Sequence, residues 1–228
     1  MGIAAHPDDL DYGASGTMAG FAAQGADVYY CIVTDGSKGS EDTSVSAMAL
    51  VKMRENEQRA AAKIIGAKDV FFLGYPDGEL EVTLPLKKDI VRIIRIVKPD
   101  VVITTDPTDI YSPGRGFINH TDHRAAGMAA IDAVYPLARD HMSFPELYAS
   151  GLKPHKTRTL LLTNFNDRNF YVDISATFDT KIKALKAHSS QVPDIDLTSK
   201  RMSDLSNMLG EMSGYSRAEA FMRIDLAI

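Results

Sequence analysis

The sequence predicts an α/β fold, a Rossmann-like three-layer sandwich built on a mostly parallel sheet. Two observations carry that expectation. Short runs rich in β-branched and aromatic residues, such as 27–34 (DVYYCIVT) and 101–105 (VVITT), are largely apolar rather than alternating, as in strands covered on both faces. Longer stretches with helical spacing separate those runs. The chain has 228 residues, 45% of them apolar and 24% charged, enough for one core in a single domain spanning 1–228.

The elements follow in order. Residues 3–5 end a short apolar strand that stops at His6-Pro7. Residues 15–24 form a small-residue helix closed by Gly25. Residues 27–34 are a buried strand, and the polar, glycine-containing stretch 36–46 is a loop. Over 47–65, Leu50, Met53, Ala61, Ile64 and Ile65 can share one helix side, and Gly66 supplies the stop. Residues 70–73 are a strand and 74–78 (GYPDG) a turn. Over 86–97, Ile90, Ile93, Ile94 and Val97 share a helix face, with Pro99 just beyond. Residues 101–105 are the fourth strand, 106–119 a long polar loop and 121–139 a helix. Strands at 159–162 and 171–174 and a helix at 177–188 continue the alternation. Residues 199–212 and 216–222 read as helical, with no place assigned in the fold.

Composition narrows the function. Lys and Arg total 25 against 30 Asp and Glu, a net charge of −5, which disfavours a nucleic-acid binder. No stretch approaches the roughly 20 apolar residues of a membrane helix. The N-terminus turns acidic by residue 8, unlike a signal peptide, and Cys31 is the lone cysteine, so a cytoplasmic protein is expected. Gly13, Gly16 and Gly20 do not spell G-x-G-x-x-G, which leaves a dinucleotide site poorly supported.

In open parallel sheets, ligands sit outside the carboxyl ends of the strands, so the loops after each strand are the informative segments. After the first strand come His6-Pro7-Asp8-Asp9. His and Asp suit a borderline cation such as zinc, and Pro7 stiffens the turn. His6 and Asp9, three apart, could converge on one ion, leaving Asp8 free as a base; alternatively one Asp only caps the next helix. After the fourth strand come His120-Thr121-Asp122-His123, either a second ligand cluster or a solvated helix start. Two such clusters at one sheet edge favour a shared metal site. Weaker candidates have ordinary explanations: Asp35 and Asp77 in turns, Arg54 paired with Glu57 on a solvated helix face, His188 at a helix end, and Cys31 as a buried apolar group.

These motifs resemble the LmbE-like, or PIG-L-type, zinc-dependent de-N-acetylases. The resemblance rests on A-H-P-D-D at 5–9 and H-x-D-H at 120–123. It is supported by G-A-S-G-T at 13–17, T-D-G at 34–36, R-x-x-E at 54–57, L-G-Y-P-D-G at 73–78, K-P-D-V-V at 98–102, A-H-S-S-Q at 187–191 and Y-S-R-A-E-A-F at 215–221. It implies the LmbE-like fold and one Zn2+ per chain, other divalent ions being possible, held by His6, Asp9 and His123. Asp8 would be the general base and His120 the proton donor or oxyanion stabiliser, with Asp122 as its partner. Arg54 and Asp77 match substrate-binding positions, and His188 is grouped with them. The implied activity is removal of an N-acetyl or other N-acyl group from an amino sugar or related small amide by a homo-oligomeric enzyme. A thiol-conjugate amidase and a silent sugar- or metabolite-binding protein are the alternatives. Members usually carry more apolar residues before A-H-P-D-D, so a trimmed start is expected. Ile118 stands where some sugar-specific members have tyrosine, which leaves Tyr111 as the candidate second group on the carbonyl.

Overall fold

The computed structural model describes residues 1–227 of the chain. The elements run β1 (Gly2–Ala4), α1 (Asp9–Gly13), α2 (Ser15–Ala23), β2 (Tyr29–Thr34), α3 (Ala47–Ile65), β3 (Asp69–Tyr75), α4 (Leu84–Val97) and β4 (Val101–Thr105). A small hairpin, β5 (Tyr111–Ser112) and β6 (Phe117–Ile118), precedes α5 (Thr121–Asp132) and the short α6 (Pro145–Ala149). Then come β7 (Thr159–Thr163), β8 (Phe170–Asp173), α7 (Phe178–Ala187), α8 (Ile195–Ser213) and β9 (Ala218–Asp225).

Among the described residues, seven strands form one sheet in the order β3-β2-β1-β4-β7-β9-β8. β3, β2, β1, β4 and β7 are parallel, and β9 runs antiparallel between β7 and β8. Successive side chains of a strand point to opposite faces, and both faces are covered. Cys31 and Val33 join Ile90, Ile94 and Ala129 beneath α4 and α5. Tyr30 and Ile32 join Met18, Ala61, Ile65 and Ala184 beneath α2, α3 and α7. That double coverage explains why the strands read as apolar runs, and the expected α/β sandwich is the fold observed.

Local chemistry sets the ends of the helices. The Ser46 hydroxyl accepts from the Ala49 N–H, and Gly66 takes the left-handed conformation that closes α3. Thr83 caps α4 in the same way, and Asp194 caps α8.

Two expectations are corrected. The helix expected over 121–139 ends at Asp132, and a wide turn at Ala133–Leu137 follows, with Tyr135 extended. Pro136 disfavours helical backbone at the residue before it and has no N–H to donate. The stretch expected to be helical over 216–222 lies largely in strand β9. Ala and Glu favour helices in isolation, but here the ladders with β7 and β8 decide. Phe221 enters the main core on one face, while Ala218 and Ala220 pack with Leu209 of α8. No helix among the described residues is long and apolar enough to cross a membrane.

This topology places the site. The chain leaves β1 toward β2 and β3 on one side and returns as β4 on the other, so β1 and β4 flank the switch point of the sheet. The loops after both strands open at the same edge. Helix α5 starts there and lies hard against β4: a Cβ on Gly127 would stand 2.2 Å from the Thr105 carbonyl oxygen. Gly127→Ala is therefore expected to push α5 off the sheet and cost about 1–3 kcal/mol of stability. Denaturant unfolding checks this, and an unchanged midpoint would show that the helix can shift freely.

Candidate metal centre and catalytic site

The turn after β1 is tied down before any side chain acts. The Thr34 N–H and hydroxyl both donate to the Ala5 carbonyl, at 2.8 and 2.9 Å. The Asp8 carbonyl then accepts from the N–H groups of Asp11 and Tyr12, at 2.8 and 3.0 Å, and so opens α1. Asp8 itself has φ +97°, a left-handed conformation that costs energy for a residue with a Cβ. Asp9, next along, turns back so that its Oδ2 accepts the His6 N–H at 2.8 Å.

His123 reaches this turn from the first helical turn of α5. Its Nε2 lies 3.2 Å from His6 Nδ1 and 3.1 Å from Asp9 Oδ1, and His6 Nδ1 lies 3.5 Å from Asp9 Oδ2. Three donors around a tetrahedral ion with bonds near 2.0–2.1 Å would stand about 3.3 Å apart. Asp9 presents Oδ1 to His123 and Oδ2 to His6, and with either oxygen the donor types suit a small divalent cation between the two imidazoles. The outer nitrogens are arranged to match. His6 Nε2 lies 3.0 Å from Asp77 Oδ1 and 3.3 Å from Asp122 Oδ2, so it carries the proton and leaves Nδ1 free to ligate. His123 Nδ1 donates to Asn119 Oδ1 at 3.1 Å, which frees Nε2. Asn119 was not singled out from the sequence. The available signal was its place four residues before His123, where side chains meet across one helical turn.

Asp122 does not stand behind His120 as the resemblance implied. It is fully buried; its Oδ2 accepts from the Gly78 N–H at 2.6 Å and its Oδ1 from the Leu80 N–H at 3.2 Å, so its carboxylate faces His6 and the turn after β3. What joins it to His120 is its backbone: the Asp122 N–H donates to His120 Nδ1 at 3.1 Å, making His120 the cap of α5. His120 is therefore protonated on Nε2. Burial, and then the charges of His6 and His123, hold its pKa below the ordinary histidine value, which keeps the ring neutral.

The four residues expected at the substrate fall elsewhere or play another part. Asp77 is buried, with one oxygen on His6 and the other accepting from the Lys38 N–H at 2.9 Å. Arg54 is also buried, so the solvated pair with Glu57 does not form; it donates to the carbonyls of Gly36 and Pro7 and stands 3.6 Å from Asp8 Oδ1. Glu57 instead accepts from Ser189 and Ser190. His188 is wholly buried, with Nε2 2.9 Å from Asp11 Oδ2, and cannot meet a substrate. Tyr111 is 61% exposed on the β5–β6 hairpin and does not line the cavity at the donor triangle. Arg54 and Asp77 still line a cavity with His6 and His123, whereas His188 is buried on Asp11 and Tyr111 stands exposed on the hairpin, placements that no local spacing reports.

Electrostatics divides the two neighbouring acids. Burial works against charge on Asp9, but the His123 and His6 contacts outweigh it and hold its carboxyl well below the usual range. Burial, reinforced by the charge of Asp9, pushes Asp8 up to about 7, with Arg54, His188 and His6 opposing. Burial also disfavours charge on His6, yet Asp77 and Asp9 raise it to about 10. A cluster that binds protons this strongly is one where a cation is welcome. A cavity of about 380 Å³ opens over His6 and His123, lined by Asp8, Lys38, Arg54, Asp77, His120 and Gln191 among others. A second, mainly apolar cavity of about 410 Å³ touches Asp9 and His123 from another side, walled by Met202, Leu205 and Leu209 of α8; it reaches neither Asp8 nor His120. The first cavity brings Asp8 and His120 together beside His6 and His123.

The chain is similar to known proteins along most of its length. The profile of the family PIG-L, described as GlcNAc-PI de-N-acetylase, matches residues 1–134. The diacetylchitobiose deacetylase of Thermococcus kodakarensis is 35% identical over 95% of this chain and 79% of its own length. The 1D-myo-inositol 2-acetamido-2-deoxy-alpha-D-glucopyranoside deacetylase of Rhodococcus erythropolis is 29% identical over 83% of this chain and 80% of its own. Among solved structures, the N,N'-diacetylchitobiose deacetylase of Pyrococcus horikoshii, complexed with an inhibitor, superposes with a TM-score of 0.88 at 30% identity, covering 96% of this chain and 81% of that one. A profile match over more than half the chain and a relative 35% identical along 95% of this chain lead to one conclusion: this chain belongs to the PIG-L family of de-N-acetylases.

Proposed function

We propose that the chain is a zinc-dependent hydrolase that removes the acetyl group from an N-acetylated amino sugar. The observation that carries this reading is the convergence of His6, Asp9 and His123 within 3.1–3.5 Å of one another, beside an acid and an imidazole they leave free. The sugar class is supported by the relatives, whose names describe deacetylases of N-acetylglucosamine compounds. His6 Nδ1, His123 Nε2 and Asp9 would hold the ion. Bound there, zinc supplies a Lewis acid for the acyl oxygen and lowers the pKa of a water to roughly 7.

The protein's own groups do the rest. Asp8, which shares the polar cavity with His6 and His123, takes a proton from the attacking water and can return it to the departing amine. His120 presents Nε2–H to the oxygen on which negative charge develops. Its Nδ1 is occupied as an acceptor, so losing the Nε2 proton would leave an anionic ring, which neutral pH does not allow. His120 is thus the oxyanion donor, and Asp8 carries the proton in both directions. Amide and water become amine and carboxylic acid, with no proton left over.

Three outcomes test the reading. Asp8→Asn, which tolerates the left-handed backbone, should keep its zinc and lose about 10²–10⁴ in kcat for acetate release from N-acetylglucosamine and diacetylchitobiose. If the zinc-loaded wild type releases acetate from none of a panel of N-acetylated sugars, the proposed activity is wrong. His120→Ala should lower kcat by about 10²–10³ and leave the alkaline limb of the pH–rate profile in place. A proton-donating imidazolium would be lost as pH rises through its pKa, so disappearance of that limb in the variant would restore the acid role. Asp77→Ala should weaken zinc binding by about 10–100-fold in a competition titration, because His6 loses the group that orients it. A raised KM with unchanged zinc affinity would return Asp77 to the substrate.

A further inference from the structure

Helix α3 carries Arg54 and Gln58 one turn apart on its buried side, and both reach the same peptide unit. Arg54 Nη2 donates to the Pro7 carbonyl at 2.8 Å, and Gln58 Oε1 accepts the Asp8 N–H at 3.0 Å. The plane joining Pro7 to Asp8 is therefore gripped at both of its polar ends. That plane is the reference about which the φ of Asp8 turns, and φ there is +97°. A residue with a Cβ leaves such a conformation unless its surroundings over-determine it.

Gln58 is itself held in one orientation. Its Nε2 donates to Asp11 Oδ2 at 2.9 Å. Asp11 also accepts the Tyr30 hydroxyl at 2.9 Å and has His188 Nε2 at 2.9 Å. Asp11, Tyr30, Gln58 and His188 are all at 0% exposure, so no solvent competes for these bonds. A backbone N–H only donates, so Gln58 turns its oxygen to Asp8 and offers its NH₂ group to the Asp11 carboxyl oxygen. None of these four side chains has a part in the chemistry described above.

We propose that Gln58 is a positioning residue: with Arg54 it clamps the Pro7–Asp8 peptide and so determines where the Asp8 carboxylate stands beside the donor triangle, while Asp11, anchored by Tyr30 and His188, locks the clamp. The inference deepens the deacetylase reading, because it gives the proposed base its place, but the clamp is a matter of geometry and has a readout of its own.

Gln58→Met keeps the side-chain length and removes both hydrogen bonds. In the zinc-free protein the Asp8 amide should exchange with deuterium at least about tenfold faster than in the wild type, with exchange at Ile32 in the core unchanged. In the zinc-loaded protein kcat should fall about 10–100-fold, with KM within about twofold and zinc content unaltered, as expected when a base is displaced by a fraction of its reach. Unchanged exchange at Asp8 overturns the clamp, as does equal acceleration at Ile32, which would mark general loosening. Faster exchange with wild-type kcat overturns its service to Asp8. If the wild type releases no acetate, the deacetylase reading fails while the exchange rates still decide the clamp. Should Gln58→Met not fold, Tyr30→Phe keeps the core ring and removes one anchor of Asp11; it should shift exchange and kcat in the same directions by about two- to fivefold, and wild-type values in it overturn the proposal.

Discussion

A carboxylate and two imidazoles crowded within 3.5 Å of one another lose their hydration, and the two rings oppose each other's charge, unless something holds them. Here the holding is done mainly by the backbone and by acids one step further out. The His6 N–H grips Asp9, two N–H groups of the turn after β3 grip Asp122, and the Lys38 N–H grips Asp77. Each outer acid then faces His6 Nε2 and turns the opposite nitrogen to Asp9 and His123. The rest of the site depends on this: once His6 is oriented, its Nδ1 faces Asp9 and His123, and Asp8 and His120 stand beside them.

The two acids of one turn end up with opposite tasks because their surroundings differ. Asp9 sits against two histidines and stays ionised, whereas Asp8 is buried beside that negative charge and rises toward neutrality. Environments that push neighbouring carboxyls apart in pKa are a common source of an acid–base division. The same logic applies to the imidazoles. His6 and His123 each direct the N–H of one ring nitrogen to an oxygen and turn the other nitrogen toward the donor triangle. His120 reverses the order, accepting a backbone N–H at Nδ1 and keeping a proton on Nε2.

The sheet makes this economical. Parallel β1 and β4 deliver loops from residues 117 apart in the chain to one edge, and the tight packing of Gly127 on Thr105 sets α5 at the height where His123 meets His6. On one side of that meeting lies the polar cavity with Asp8 and His120, and on the other lies an apolar one under α8.

Much of this was legible in the chain itself. His6-Pro7-Asp8-Asp9 and His120-Thr121-Asp122-His123 stand out because ligand spacing is local and because loops at the carboxyl ends of parallel strands must meet. The parallel sheet was legible for a similar reason, since double burial leaves continuous apolar runs. What the chain did not disclose is non-local. That Asp77 and Asp122 serve His6, that His188 lies buried on Asp11, that Tyr111 faces away, and that 218–225 is a strand each depend on a partner far off in sequence. Residue type and spacing determine what a side chain can do; only the packed structure decides which group it meets, because burial and hydrogen-bond partnership are properties of the assembled core.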